Sequence, residues 1–145
     1  VNKAEEHAFQ KRISDPEVKE YILHMPWIDI SEFPTYAKAC AAGLSPIFSG
    51  EQHDIGIANK VFQYMLFELP VIASDSKAQA QLIQENECGL VFEDQNSEDL
   101  AMRIAELILD PALAKKLGRN GSRAITEKFN VERMGDRLVK LYNEI

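Results

Sequence analysis

The chain is poor in the features that mark several common functional classes. Its two cysteines, Cys40 and Cys88, stand far apart and join no Cys-x-x-Cys or Cys/His spacing. Neither a zinc site nor a disulfide framework is therefore expected, and both read as free thiols of a reducing compartment. No apolar run approaches the ~20 residues that cross a bilayer, and the opening VNKAEEHAF is too polar for a secretory signal. Basic residues are in deficit, with 16 Lys and Arg against 23 Asp and Glu and a net charge of −7. That balance argues against a nucleic-acid backbone as the main partner, because such binding is driven by clustered cations. Internal repeats, low-complexity tracts and flexible linkers are missing too. The chain opens without Met on a charged helical stretch with no strand before it. These features lead to the expectation of a cytoplasmic piece of a longer polypeptide.

What is present suits one α/β domain, since 145 residues with 46% hydrophobic content can bury a core. Ala4 to Ile13 reads as a surface helix broken at Asp15-Pro16, and Glu20 to Met25 (EYILHM) as a strand leading to a turn at Pro26-Trp27. Ser31 is placed to cap a helix running to about Ala42 and ending at Gly43, with Leu44 to Phe48 a short buried strand. A polar loop, Ser49 to Ala58, leads into a helix for which Asn59 is the expected cap.

Pro70 to Ser74 (PVIAS) is an apolar run of the sort found in strands covered on both faces of a parallel sheet. Then follow a helix at Lys77 to Asn86 and a strand at Leu90 to Glu93. The next helix is capped by Ser97 and carries Leu100, Ile104, Leu107 and Ile108 in register. A helix at Ala112 to Phe129 is expected to break near Gly118 to Gly121, and a last one, capped by Asn130, to turn Val131, Met134, Leu138 and Leu141 inward. The sum is a Rossmann-like, doubly wound parallel α/β sheet with a helical C-terminal extension.

Within it, ANKVFQYMLFELPVIASD (Ala58 to Asp75) holds a local misfit. Lys60 falls in the first turn of a helix, where the orphan N–H groups and the dipole repel cations mildly and attract anions. Either a phosphate docks above that turn and uses both, or Lys60 extends to solvent or pairs with a surface carboxylate. In an open parallel sheet ligands sit at the carboxyl ends of strands, so Ser49 to Lys60 is the expected place, with the loops Ala73 to Gln79 and Glu93 to Ser97 on the same rim. Lys60 and Gln63 stand at i and i+3, about 5–6 Å apart between Cβ atoms. Gly56 permits close backbone approach just before the helix.

A set of segments carries a family resemblance: YILHMPWIDISEFPTYAKA, LSPIF, HDIGIANKVFQYMLFELPVIASD, ECGLVFED, DLAMRIAELILDP and NVERMGDRLVKLY. Together they resemble the C-terminal half of a group-one, retaining glycosyltransferase of the GT-B architecture, over nearly the whole length. The resemblance implies a donor-binding domain over residues 1–145, with the acceptor domain absent from this chain. It also implies a UDP- or GDP-sugar donor, no metal or other cofactor, and an acceptor that is a sugar, a lipid-linked sugar or a polysaccharide. The partner within the polypeptide would be an N-terminal acceptor domain, and the setting the cytoplasm or the inner face of a membrane.

Carried onto this sequence, the resemblance assigns donor binding to Gly56, Asn59, Lys60 and Gln63, and chemistry to Lys60, Asp54 and His53. It favours the anion-binding reading of Lys60. The family's two glutamates, eight positions apart, are replaced by Ile55 and Gln63. Gln63 still offers a hydrogen bond to a ribose hydroxyl, though a weaker one than a carboxylate. Asp54 reads either as a sugar contact or as a turn or capping residue, and His53 either as a partner of a donor hydroxyl or as a loop histidine bonded to backbone. Two competing classes are another enzyme on the same fold, such as a nucleotide-sugar epimerase, and a non-catalytic binding module; a flavodoxin-like signalling domain is more remote.

Overall fold

In the computed structural model, which describes residues 3–25, 27–51 and 53–144, the chain forms two units, residues 1–33 and 34–145. The first holds α1 (Lys3–Ile13) and α2 (Pro16–Lys19). Asp15-Pro16 ends one helix by starting the next: the Asp15 carboxylate accepts from the Glu17 N–H at 3.0 Å, and Pro16 takes the first helical position. The expected strand at Glu20 to Met25 does not form. A strand needs a ladder partner, the strands among the described residues all lie in the second unit, and Tyr21 and Leu23 are exposed. The His24 ring instead meets Phe9 edge-on at 5.5 Å. Ser31 caps no helix either, because its N–H and hydroxyl both donate to Asp29 Oδ1, at 2.8 and 2.6 Å. Those bonds hold the Asp29 carboxyl below its usual value. Pro26, on which the expected turn rests, lies outside the described residues.

α3 (Phe33–Ala37) stops well short of Ala42, its end drawn into tight turns by Ala39 N–H to Tyr36 O and Cys40 N–H to Ala37 O. The second unit then runs β1 (Gly43–Ser45), α4 (Asn59–Leu66), β2 (Val71–Ser74), α5 (Lys77–Glu85), β3 (Gly89–Phe92), α6 (Ser97–Leu109), α7 (Pro111–Glu127) and α8 (Val131–Asn143). The strands form one parallel sheet in the order β1-β2-β3, with Leu44 opposite Ile72 and Ile72 opposite Leu90. β1 is shorter than Leu44 to Phe48 because Pro46 has no N–H for the ladder. The Ile47 N–H turns to Ser74 Oγ at 3.1 Å.

β2 is buried along its whole length, and its alternate residues feed two cores. Val71 and Ala73 pack with Val61 and Met65 of α4, Leu82 and Ile83 of α5, and Cys88. Ile72 packs on the other face with Phe92, Leu107 of α6 and Leu117 of α7. Helices thus cover both faces, the doubly wound arrangement expected from a fully apolar strand. Burial pushes the Cys88 thiol up to about 11, while Cys40 is exposed, and both are free.

Helices α6, α7 and α8 each differ in one detail from the sequence reading. Ser97 is the first residue of α6, and Asn96 caps it by accepting from the Asp99 N–H at 3.0 Å. α7 is unbroken through Gly118 and Gly121, because these glycines serve packing instead of a turn. A Cβ on Gly118 would lie 1.9 Å from the carbonyl oxygen of Glu68, and one on Gly121 3.2 Å from Met65, so the pair lets α7 lie against the end of α4. α8 is capped by Asn130 as expected, but Val131 is 88% exposed and Met134, Leu138 and Leu141 are also exposed, so its apolar stripe is not turned inward.

The glycine contact yields a stability prediction. Gly118→Ala should cost about 3 kcal/mol, since backbone must move to admit the methyl group, and Gly121→Ala about 1 kcal/mol, since the Cα, Cβ and Cγ atoms of Met65 need yield only slightly. Urea unfolding midpoints of the two variants at constant m-value check the order.

Candidate functional site

The site region is built by the parallel sheet, which sends the loops after β1, β2 and β3 to one rim. A buried polar clamp fixes the start of the first loop. Gln79, 1% exposed, accepts from Ser45 Oγ at 3.0 Å and donates to Ser74 Oγ at 2.9 Å. Ser74 Oγ in turn donates to the Ile47 carbonyl. All polar groups of this clamp are partnered, which makes a buried network rigidifying instead of costly.

Carboxylates then tie the loops to one another through backbone N–H groups. Asp94 Oδ2 accepts from the Ser49 N–H at 2.9 Å, and Asp75 Oδ1 from the Asp94 N–H at 3.0 Å. Asp54 Oδ1 accepts from Ser76 Oγ at 3.2 Å and the Lys77 N–H at 3.3 Å, while Ser76 Oγ also lies 3.0 Å from the His53 carbonyl. The Asp54 carboxylate thus sits at the amino end of α5. His53 is exposed, and its Nδ1 lies 2.9 Å from the Phe48 carbonyl. Since a carbonyl only accepts, Nδ1 carries the proton, and in the tautomer protonated there alone Nε2 is an acceptor.

Asn59 proves to be the first residue of α4, with Ala58 at the cap position, so no side chain caps this helix and its first turn holds no acid. The Lys60 ammonium occupies that turn in a half-buried position and forms no ion pair with a described residue. Burial pushes its pKa below the usual 10.5. An uncapped amino end, a dipole and a desolvated cation therefore coincide, which is unfavourable in an empty site and favourable beside an anion.

Gln63, one turn on, is half-buried and borders an apolar groove of about 330 Å³ with Phe62, Leu66, Ile125, Phe129 and Met134. Gly56 is exposed with φ outside the left-handed region, and Ile55 is 85% exposed. The rim loops are visible in the sequence as segments. The clamp by Gln79, Ser45 and Ser74 escapes a reading of the sequence, although a buried glutamine among apolar neighbours at Lys77 to Glu85 is a signal of such a network.

A sequence model of the family described as "Glycosyl transferases group 1" matches residues 2–110. The chain belongs to that family. The lipopolysaccharide core biosynthesis mannosyltransferase LpcC of Rhizobium leguminosarum bv. viciae is 34% identical over 128 residues, covering 75% of this chain and 36% of that protein. The poly(ribitol-phosphate) alpha-N-acetylglucosaminyltransferase of Staphylococcus aureus is 26% identical over 112 residues, covering 77% and 22%. This glycosyl transferase chain thus spans about a third or less of the length of these relatives.

Among solved structures, sucrose-phosphate synthase from Thermosynechococcus elongatus superposes with a TM-score of 0.82 at 23% identity, over 97% of this chain and 34% of that one. The C-terminal domain of a glycosyl transferase group 1 family protein from Francisella tularensis gives 0.70 at 21% identity, over 87% and 63%. The fold is therefore that of a GT-B C-terminal, Rossmann-like domain. Among the described residues no helix is long and apolar enough to cross a membrane.

The lowered Lys60 pKa has a signed consequence. A lysine whose folded pKa lies below its unfolded value weakens the fold while charged, and that loss fades as pH rises from the lowered pKa towards 10.5. Stability of the wild type should therefore climb relative to Lys60→Met across that alkaline window, the variant being the more stable near neutral pH. Paired urea titrations from pH 7 to 10.5 read the difference, and parallel curves would refute it.

Proposed function

We propose that this chain is the donor-binding domain of a glycosyltransferase that uses a nucleoside diphosphate sugar, UDP- or GDP-linked, and transfers the glycosyl group with retention. The acceptor is a sugar, a lipid-linked sugar or a polysaccharide. The observation that carries the reading is the half-buried Lys60 ammonium, without an ion-pair partner among the described residues, in the first turn of a helix with no side-chain cap. Membership of the glycosyl transferase family supports it, and so does the position at the carboxyl end of a parallel strand.

In such a transfer positive charge grows on the sugar ring while negative charge grows on the departing diphosphate. The catalytic need is a preorganised set of donors around that diphosphate. Lys60 and the first N–H groups of α4 meet it with groups already desolvated, so little reorganisation is required as charge develops. Asn59 and Gly56 bring backbone to the same place, and Gln63 offers its amide to the ribose. His53 presents Nε2 to a sugar hydroxyl as an acceptor. The ammonium supplies the charge a divalent cation provides elsewhere, so transfer is metal-independent in this proposal.

One observation favours a second reading, a binding module without turnover: Ile55, 85% exposed, stands where a carboxylate is usual. Thermal melting of the protein with a panel of UDP- and GDP-sugars, followed by transfer of radiolabelled sugar, separates the two. A binding nucleotide sugar at 100 times its Kd adds about 2.7 kcal/mol of stability. Lys60→Ala should abolish that gain and reduce turnover about 10²–10³-fold, as loss of an oxyanion donor does. EDTA should leave turnover unchanged. Stabilisation by no nucleotide sugar, or an undiminished response in Lys60→Ala, would overturn the proposal, and binding without transfer selects the second reading.

A further inference from the structure

We infer that Asp54 is a positioning residue, whose carboxylate closes the amino end of α5 and thereby holds the Ser49–Ala58 loop in the shape that sets His53 and the start of α4. The inference rests on the donor-site reading above for its effect on nucleotide binding, but its structural part stands independently.

Ser76, at the cap position of α5, makes no capping bond with its own side chain. In other helices of the chain a residue next to the first turn does this work, as Asp110 does for α7 by accepting from the Leu113 N–H at 2.9 Å. For α5 the acceptor comes from 23 residues upstream, Asp54 Oδ1, which takes the Lys77 N–H at 3.3 Å. The Ser76 hydroxyl, with a single proton, lies within reach of both Asp54 Oδ1 at 3.2 Å and the His53 carbonyl at 3.0 Å. One residue of α5's cap thus grips two consecutive residues of the loop.

The charge fits as well as the geometry. A carboxylate at the first turn of a nine-residue helix is stabilised by its dipole and orphan N–H groups, and a negative charge so engaged opposes a nearby diphosphate less than a free one. The loop is held at its start by Ser49 on Asp94 and at its end by Ile57 and Ala58 packed on the core. Asp54 is the tie between those anchors, six positions before Lys60. Its release frees the His53 backbone, the Phe48-bonded ring and the approach to α4 together.

The distinction from direct substrate contact is testable because an asparagine still accepts from Ser76 and Lys77 through Oδ1, but carries no charge. Amide hydrogen exchange over residues 49–58 and affinity for UDP and GDP would be measured on the full-length protein. Wild type, Asp54→Ala, Asp54→Asn, Ser76→Ala and the Asp54→Ala/Ser76→Ala double variant are compared. Asp54→Ala and Ser76→Ala should each speed loop exchange and weaken nucleotide binding about tenfold, the loss of one hydrogen bond. Asp54→Asn should recover most of both losses, and the double variant should be no worse than the worse single one.

Unchanged loop exchange in Asp54→Ala, an Asp54→Asn variant as impaired as Asp54→Ala, or additive losses in the double variant would each overturn the inference. If Asp54→Ala does not fold, Ser76→Ala and Asp54→Asn decide the same point through loop exchange. Failure of the wild type to bind UDP or GDP would strike the donor-site reading, with loop exchange still deciding the role of Asp54.

Discussion

Burial of β2 on both faces is the constraint from which the site descends. Four consecutive apolar or small residues, Val71 to Ser74, leave no face of the central strand for water, so helices must lie above and below it. In a parallel sheet that requirement sends each connection back across the layers and gathers the strand-to-helix loops at one rim. Asp54 in the first loop bonds Ser76 after β2, and Ser49 in the same loop bonds Asp94 after β3, because β1, β2 and β3 run the same way. The small residues at the ends of the strands matter as much as the apolar ones. Ser45 and Ser74 leave room for Gln79 to bind between them, which turns the end of the sheet into a rigid platform for the first loop.

The rim is electrostatically unusual for the anion site proposed here. Asp54, Asp75, Asp94 and Asp99 all lie on it, yet each spends an oxygen on a backbone N–H, of Lys77, Asp94, Ser49 and Glu93 respectively. Such bonds spread the negative charge into the amide dipoles, and the carboxylates act as fasteners for loops that carry no regular structure. In a protein of net charge −7 a phosphate group cannot be drawn by long-range field. The proposed reading therefore needs a local arrangement, and the amino end of α4 offers one, an ammonium in a first turn that holds no acid.

The alternation of strands and helices, the buried character of β2, the rim loops and the misfit of Lys60 are legible in the sequence, because each rests on a local signal of periodicity or composition. What stays hidden are features decided by partners distant in the chain. EYILHM has a strand's composition and, among the described residues, no ladder to join within its unit. Gly118 and Gly121 look like a break until Glu68 and Met65 of the neighbouring turn are seen to need the space. The apolar stripe of α8 has the spacing of an inward face, yet Val131, Leu138 and Leu141 stay exposed, since spacing fixes which residues share a side and not what covers that side. At the site itself Asn59 has the chemistry of a good cap, but the helix starts one residue earlier and goes uncapped.

That missing cap and the lysine inside it are two departures from what stabilises a helix, and they fall in the same turn. Aspartate or asparagine at position 58 and an acid at position 60 would make a better isolated α4. In the proposed reading, a capping side chain at 58 would compete for the free N–H groups, and an acid at 60 would reverse the charge offered to a diphosphate. The stability forgone is offset elsewhere in the same unit: by the two cores that meet on β2, by the close approach of α7 to α4 at Gly118, and by the fully partnered clamp at Gln79. A first turn that is locally poor and supported by its surroundings suits the anion site proposed above, because the cost of holding a cation without an ion-pair partner among the described residues is met during folding and not at the moment of binding.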